Sequence, residues 1–293
     1  MGFKEVNWLK RSTSFLLKRI AIYVSAIIVF IWTALPLYWM IITAFRPEKE
    51  IYEGLVIPRQ ISIASILAIF GFGEEHITVG STITPYIINS TYISIIVMVV
   101  STVLGVLGGY ALARMRFPGK DILSSMSLFA YVFPTVVIMV PIFYLFSMWK
   151  LVNSPTGLIL ALLSHTLPYT LWMLRGFFQT IPVDIEEAAF IDGCNRIKTI
   201  IRIVFPLSTP GIVATATYAF ILAWNNVLFP LILISRTDLQ VVSIGILNYM
   251  KADFVPWDRL MAASFIATLP PTLLFFAIQR YIVAGLTAGA VKR

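Results

Sequence analysis

The sequence is poor in charge. Only 12% of its 293 residues are Asp, Glu, Lys or Arg, whereas 59% are hydrophobic. A soluble domain uses about 25% charged residues to build its water-facing surface. The composition therefore excludes a soluble globular protein and predicts a membrane protein.

Cysteine and histidine are nearly absent as well. Cys194 is the only cysteine, and His76 and His165 are the only histidines. A single chain therefore cannot form a disulfide or a Cys/His metal cluster, and we expect no metal site. His165 has no carboxylate near it in the sequence, which favours a neutral packing role over catalysis. We expect no catalytic residue.

The sequence also lacks motifs for ATP hydrolysis and for coupling to an ion gradient. The pair Gly119-Lys120 has no glycine five residues before it and is followed by Asp121, so it is not a phosphate-binding loop of the form G-x-x-x-x-G-K-[ST]. The long apolar runs lack the acidic and basic residues that ion-coupled carriers place at mid-membrane. These absences predict a non-enzymatic, pore-forming subunit that a partner drives.

Six uncharged runs are long enough to span a membrane. A charge at the centre of a lipid-exposed helix costs about 2.5 to 3.5 kcal/mol, and a spanning helix needs about 20 apolar residues. We therefore expect an all-α protein with the shorter run 61–72 at the interface or packed on an external loop. The six predicted helices cover residues 20–45, 86–113, 122–149, 151–174, 203–235 and 260–279.

Basic residues concentrate in the N-terminal segment, in the loops after the second and fourth predicted helices, and at the C-terminus. Because Lys and Arg are retained on the cytoplasmic side, we predict that segments 1–19 and 280–293 are both cytoplasmic. The formal net charge of +8 is then a topology signal and predicts no nucleic-acid partner. The first apolar run is longer than the core of a cleavable signal peptide, so we expect it to be retained.

One charged loop, residues 184–206, separates the fourth and fifth predicted helices. Asp184 and Glu187 have the spacing of a capping box, which predicts a helix that begins at Asp184. Ala188 and Ala189 would keep this helix slim. Gly193 can adopt the left-handed conformation that ends a helix.

A second helix is predicted after Gly193, because the apolar residues 197, 200, 201, 204 and 205 fall on one helical face. Pro206 predicts a bend before the fifth span. Periodicity alone leaves two interpretations open. The loop is either a helix-turn-helix unit that projects into the cytosol or an amphipathic connector that lies on the lipid surface.

The segment 187–206 resembles the EAA signature of ABC importer permeases from bacteria and archaea, E-A-A-x3-G-x9-I-x-L-P, with Phe205 in place of the leucine. The matching residues are Glu187, Ala188, Ala189, Gly193, Ile203 and Pro206. Nearly the whole chain is similar to permeases for carbohydrate uptake, especially the smaller permease subunit of maltose transporters. The segments that carry this similarity are 35–47, 88–120, 133–146, 223–233 and 285–293.

The resemblance implies one permease domain, residues 1–293, in a prokaryotic plasma membrane. Loop 184–206, with Asp184 beside the motif residues, would be the coupling loop that sits in a cleft of a cytosolic ATPase subunit. Two ATPase subunits would hold ATP and Mg, a homologous second permease would complete the path, and this chain would hold no cofactor. An extracytoplasmic solute-binding protein would dock on loops 46–85 and 236–259. Candidate tail contacts with the ATPase are Gly285, Gly289 and Lys292.

Uncharged polar and aromatic side chains within the spans are candidates for the translocation path. They suit a neutral sugar, whereas an ionic substrate would need a countercharge. Such residues also hold transmembrane helices together. The family often has an acidic residue at the position of Asn226, so a role of that acid would not carry over. The candidates are Asn89, Ser90, Thr91, Ser94, Tyr169, Tyr218, Trp224, Asn225 and Asn226.

Gly105, Gly108 and Gly109 form a small-residue face on the second predicted helix, which predicts close helix packing there.

The expected function is import of a sugar or oligosaccharide as one subunit of an ATP-driven, binding-protein-dependent transporter. The alternative is an ATP-independent secondary carrier or channel for a small neutral solute. Within the importers, amino acids, phosphate and polyamines also remain open as substrates.

Overall fold

The computed structural model describes residues 8–53, 56–72, 82–250 and 255–290, and within these ranges the chain forms helices and loops without a β-strand. Helices suit such an apolar chain, because a backbone in hydrocarbon must satisfy its hydrogen bonds within its own segment. The helices are α1 (Trp8–Ala44), α2 (Glu48–Ile51), α3 (Ala64–Ile69), α4 (Ile83–Arg114), α5 (Lys120–Val132), α6 (Thr135–Met148), α7 (Pro155–Thr180), α8 (Val183–Ile191), α9 (Arg196–Thr199), a π-helical turn (Ile200–Val204), α10 (Phe205–Trp224), α11 (Leu228–Leu233), a 3₁₀ turn (Thr237–Leu239), α12 (Val242–Tyr249) and α13 (Trp257–Ala290).

In the described part of the chain, five helical segments are long and apolar enough to cross a membrane, and the pair α5–α6 makes six if it counts as one span. The prediction of an all-α membrane protein is confirmed. The orientation of the termini stays a prediction. The five segments are Lys18–Ala44, Ile83–Arg114, Pro155–Thr180, Arg196–Trp224 and Trp257–Arg280.

The third predicted span, 122–149, is wrong as a single helix. Its residues form α5 and α6, which meet at an angle of 96°. Phe133 and Pro134 at the junction both have extended backbone, with ψ of 134° and 117°. Proline lacks an amide hydrogen and disfavours a helical conformation in the residue before it, so Pro134 ends α5.

The fifth predicted span, 203–235, is wrong in its continuity. The helix that begins at Arg196 passes through the π-helical turn into α10 and ends at Trp224, and α11 begins only at Leu228. The bend predicted at Pro206 is not a break in the described helix. Phe205 keeps a helical backbone, and its amide donates to the carbonyl of Ile200, five residues earlier. The wider π-helical turn thus lies next to the proline, where an ordinary helix would lose a hydrogen bond.

The run 61–72 contains α3, which packs on the start of α13. The Ser65 hydroxyl donates to the buried carboxylate of Asp258, with 2.7 Å between the oxygens. The contact is therefore with a helix and not with an external loop, and the placement of this run at the membrane interface stays a prediction. Helix α1 also packs on α13, although most of its apolar side chains are exposed.

Helices α4, α7 and α10 form the centre of the bundle, and α4 lies along α7. The prediction of close packing at the glycines of α4 is confirmed by the distances. A methyl group added to Gly108 would lie 2.4 Å from the Leu171 side chain, and one added to Gly109 would lie 3.0 Å from the Arg175 backbone nitrogen. Because the glycines leave no room for a side chain, α4 and α7 are in near backbone contact.

Candidate functional site

Helix α8 lies in the charged loop, but it does not begin as predicted. Its first residue is Val183 and its N-cap is Pro182, and no described side chain caps it. The capping box of Asp184 and Glu187 is therefore wrong. The extended backbone of Pro182 sets the start of the helix, which places Asp184 in the first turn, where a carboxylate interacts favourably with the helix dipole.

The end of α8 has the geometry that the sequence predicted. Gly193 is left-handed, with φ of +83°. The amide of Gly193 donates to the carbonyl of Phe190 at 3.1 Å, and the amide of Cys194 donates to that of Ala189 at 2.9 Å. This pair of bonds is a Schellman motif, which satisfies the last carbonyls of the helix. The chain then turns into α9, whose N-cap Asn195 accepts from the amide of Lys198.

Glu186, which sequence reasoning missed, connects α8 to α4. Its side chain is 4% exposed. The Tyr110 hydroxyl donates to Oε2 at 2.7 Å, and Arg114 Nε donates to Oε1 at 2.6 Å. Arg114 Nη2 also donates to the carbonyl of Ile181 at 2.5 Å. Glu187, the glutamate of the motif, is exposed.

The opposite side of α8, which Ile191 faces, is open to solvent, and Phe190, four residues after Glu186 and therefore nearer to its side, is partly open as well. Ile191 is 86% exposed and Phe190 is 40% exposed. Asp184, Glu187 and Ala188 are also exposed, whereas the other motif alanine, Ala189, is buried against the protein. This face combines apolar and acidic groups outside the membrane-spanning helices.

The remaining motif residues, Ile203 and Pro206, lie around the junction of the π-helical turn and α10. Of the apolar face predicted for the second helix, Val204 is fully buried and Ile200 packs against the same cluster. Ile197, Ile201 and Phe205 are exposed. The face is thus split into two stripes: Ile200 and Val204 pack on the core, and Ile197, Ile201 and Phe205 lie at the surface.

Two path candidates on α4 hold the loop that follows α11. Asn89 Nδ2 donates to the carbonyls of Asp238 and Gln240, each at 2.9 Å. The Ser90 hydroxyl accepts from the amide of Val242 at 2.8 Å. Among the other α4 candidates, the Thr91 hydroxyl donates within its own helix and Ser94 is buried.

Further hydrogen bonds hold the loop that follows α11. Arg236 donates from Nε and Nη2 to the carboxylate of Asp238, and these hydrogen bonds lower the pKa of Asp238. Asn153 Oδ1 accepts from the amides of Ser235 and Arg236 at 2.7 and 3.1 Å. In α12, burial raises the pKa of Tyr249 to about 12, so its phenol stays protonated.

The Asn225–Asn226 pair lies at the break after α10, not within a continuous span as predicted. Asn226 Oδ1 accepts from the amide of Phe229 at the start of α11, and its backbone carbonyl accepts from the Ser243 hydroxyl. Asn225 is exposed and lines a cavity of about 520 Å³ between α10, α12 and α13. Trp224 also lines it, although the indole is buried and stacks on Phe220 with 5.6 Å between ring centroids. The uncharged polar residues around this cavity are Asn225, Ser243, Ser264, Thr268 and Thr272.

Three tyrosines meet between α5, α7 and α10. The ring centroids of Tyr169 and Tyr218 are 4.4 Å apart, those of Tyr131 and Tyr169 are 5.0 Å apart, and the Tyr131 and Tyr218 hydroxyls are 3.2 Å apart. His165 stacks on Tyr131 at 6.0 Å. Tyr131 joins two path candidates, and no sequence pattern pointed to it.

Two other predictions concern the tail and metal binding. Gly285 and Gly289 lie in the last turns of α13, and Lys292 lies outside the described residues. Within the ranges that the structure describes, no group of three or more His, Cys, Asp or Glu residues could hold a metal ion. His76 is outside those ranges.

Residues 101–288 match the family model of the binding-protein-dependent transport system inner membrane component. The chain belongs to this family. The permease is 33% identical to the inner membrane ABC transporter permease protein YcjP of Escherichia coli K12, an alignment that covers 94% of this chain and 97% of YcjP. The resemblance to ABC importer permeases inferred from the EAA-like segment is confirmed at the level of the family.

The permease is also similar to relatives with named sugars. It is 32% identical to the diacetylchitobiose uptake system permease protein DasC of Streptomyces coelicolor, over 92% of this chain and 95% of DasC. It is 31% identical to the trehalose/maltose transport system permease protein MalG of Thermococcus litoralis, over 94% and 98%.

Among solved structures, the fold matches a chain of a bacterial ABC transporter involved in the import of the acidic polysaccharide alginate. The TM-score is 0.73 at 17% identity, and the match covers 90% of this permease and 96% of that chain. At this identity the likeness establishes the fold of the permease.

Proposed function

We propose that this permease is one transmembrane subunit of an ATP-driven importer of a neutral sugar or oligosaccharide in a prokaryotic plasma membrane. Cytosolic ATPase subunits bind ATP and Mg and hydrolyse the ATP, and α8 transmits their motion. A homologous second permease completes the path, and an extracytoplasmic solute-binding protein delivers the sugar to loops 46–85 and 236–259.

The solvent-exposed face of α8 is the observation that carries the coupling role. An isoleucine that is 86% exposed, beside a half-exposed phenylalanine, is unfavourable in a loop that faces water. Both residues lie in the last turn of a short helix that ends in a defined Schellman turn. A surface of this kind favours docking of the helix in a groove of a partner protein.

The substrate class is supported by the chemistry of the cavity that Asn225 lines and by the sugars named for the relatives. Its polar groups are amides and hydroxyls, and an indole contributes to its wall. A neutral sugar offers hydroxyls for such groups and C–H faces for aromatic rings. The named sugars of DasC and MalG agree with this chemistry. The tyrosines of α5, α7 and α10 are further candidates for contacts along the path.

The coupling role is tested with Ile191→Lys in the complex purified through a tag on the permease. A lysine near the end of a helix is compatible with the helix dipole, so this variant changes the exposed face and not the helix itself. We expect the ATPase subunits to be lost on purification, because the lysine ammonium would have to be desolvated in the groove.

The matched control is Ile57→Lys, since Ile57 is also highly exposed, at 74%, but lies in the loop between α2 and α3. The control should retain the ATPase subunits. Co-elution of the ATPase subunits in undiminished amounts with the Ile191→Lys permease would contradict the docking of α8. A parent permease that purifies without any ATPase subunit would favour the secondary carrier.

A further inference from the structure

We propose that Glu186 is the positioning residue that locks α8 to α4, so that α8 and the α4–α7 pair move as one body. This inference rests on the proposed coupling role of α8. It assigns to Glu186, which faces away from the docking surface, the task of passing a displacement of α8 to the membrane.

The geometry of the carboxylate supports this role. Both oxygens are engaged, Oε2 by Tyr110 and Oε1 by Arg114. Tyr110 and Arg114 are four residues apart on α4 and therefore lie on the same face, one turn above the other. Two anchors on successive turns fix the direction of the Glu186 side chain as well as its distance. With a side chain that is 4% exposed, water cannot readily replace either partner.

Arg114 also forms a hydrogen bond with the link between α7 and α8. That link is Ile181 and Pro182, both with extended backbone at ψ of 127° and 134°. Arg114 donates to the carbonyl of Ile181 from Nη2 while Nε holds Glu186. One guanidinium thus bonds both the link and the helix that follows it. Rotation of α8 about the link would break two charge-assisted hydrogen bonds.

The part of α4 that Glu186 contacts is packed tightly on α7. The Tyr110 ring packs edge-to-face on Phe178 of α7, with 5.9 Å between centroids. One residue earlier along α4, the contact at Gly109 brings the α4 backbone against the α7 backbone near Arg175. A displacement that reaches Tyr110 and Arg114 is therefore delivered to both helices, because tightly packed helices shift as units.

The test measures an ATP-driven movement of the cavity in the whole complex, purified with its ATPase subunits and placed in lipid nanodiscs. Cys194→Ser removes the native cysteine, and Thr268→Cys places a reporter thiol in the cavity wall. The readouts are ATP hydrolysis and the rate at which a water-soluble maleimide modifies the reporter, with and without Mg, ATP and vanadate. No sugar is needed as a probe.

In the reporter background we expect ATP and vanadate to change the labelling rate by about fivefold or more, the lower end of typical coupling between sites. Glu186→Gln keeps the size of the side chain but loses its charge. It should retain ATP hydrolysis within about twofold while the change in labelling falls below about twofold, since the link no longer resists rotation. Adding Arg114→Gln should cause a smaller loss than the same change causes alone, because the ion pair is already lost and only the hydrogen bond to the Ile181 carbonyl remains to be removed.

Ile212→Ala is the control for a purely structural effect, because Ile212 of α10 is buried in the same cluster as Tyr110 but takes no part in the proposed connection from α8 to α4 and α7. It loosens the same cluster without touching the charges, and it should lower thermal stability while the ATP-dependent change persists. A Glu186→Gln complex that keeps the full ATP-dependent change would overturn the proposal. If that variant does not assemble, Tyr110→Phe, which removes one hydrogen bond, decides: a weakened response supports the proposal and an unchanged one contradicts it. A parent complex without any ATP-dependent change contradicts the proposed function itself, which is a separate outcome.

Discussion

At the scale of single residues, the proposed coupling role of α8 depends on the backbone conformation of Gly193. Its φ of +83° is a region that L-residues rarely adopt, although a side chain there would meet no described atom within 4 Å. Gly193→Leu therefore costs about 1 to 2 kcal/mol through the backbone and not through a clash. We expect the end of α8 to rearrange, so that transport falls while ATP hydrolysis by the partner continues. The measurement is the ATP consumed per solute transported in reconstituted vesicles.

Gly176 provides the matched control, because it lies inside α7 and also has open space around it, but without a positive φ. Gly176→Leu should leave the ratio of ATP to solute unchanged. Gly193→Asn should be milder than Gly193→Leu, since asparagine tolerates the left-handed conformation. Normal transport by the Gly193→Leu permease would show that the turn does not need this conformation.

The two adjacent glutamates show what local sequence could and could not reveal. The left-handed turn at Gly193 was predictable because it depends on one residue type and its immediate neighbours. The burial of Glu186 was not, because its partners Tyr110 and Arg114 are more than 70 residues away in the sequence. The motif drew attention to Glu187, yet the bundle is held through Glu186. No local pattern distinguishes the two side chains.

At the scale of elements, composition located most of the helices but not their breaks. A run without charge predicts that a segment lies in the membrane, and it carries no information on whether the helix within it is continuous. Pro134 breaks the third predicted span, whereas Pro141, Pro168 and Pro210 lie inside helices. Whether a proline ends a helix depends on whether neighbouring helices satisfy the freed carbonyl, which a single sequence does not show.

The contact between α4 and α7 gives a prediction at this scale. A side chain at Gly109 would meet the backbone of Arg175 at 3.0 Å and that of Leu171 at 3.3 Å, and backbone cannot rotate away as a side chain can. Gly109→Val should therefore push the helices apart and destabilise the permease by about 1 to 3 kcal/mol, the usual range for overpacking. Thermal unfolding of the purified permease in detergent measures the effect.

Gly176→Val, on the outer face of the same helix pair, should change the unfolding temperature far less, because no described atom lies within 4 Å of the added group. Equal unfolding temperatures for Gly109→Val and the parent would mean that α4 and α7 can separate freely. The rigid-body movement inferred for α4, α7 and α8 would then lose its mechanical basis, since it depends on this contact.

At the scale of the whole molecule, the proposed function assigns the path to the spans and the hydrolysis of ATP to a partner. A chain in which α8 is held to the bundle on one side and exposes apolar side chains on the other is suited to receive work from a second protein. This arrangement has one strict requirement. Loop 184–206 must lie on the side of the membrane where ATP is available, and the distribution of basic residues predicts that side to be the cytoplasm.

The native cysteine tests this requirement directly. Cys194 is partly exposed just after Gly193, at the turn that follows α8. In membranes stripped of the ATPase subunits, a membrane-impermeant maleimide should label Cys194 in inverted vesicles and leave it unlabelled in right-side-out vesicles. Replacing it by Cys194→Ser and adding Arg59→Cys, at a side chain 68% exposed in the loop predicted to be external, should reverse the pattern. Labelling of Cys194 from outside would place α8 beyond the reach of any cytosolic ATPase, and the permease would then need another way to be driven.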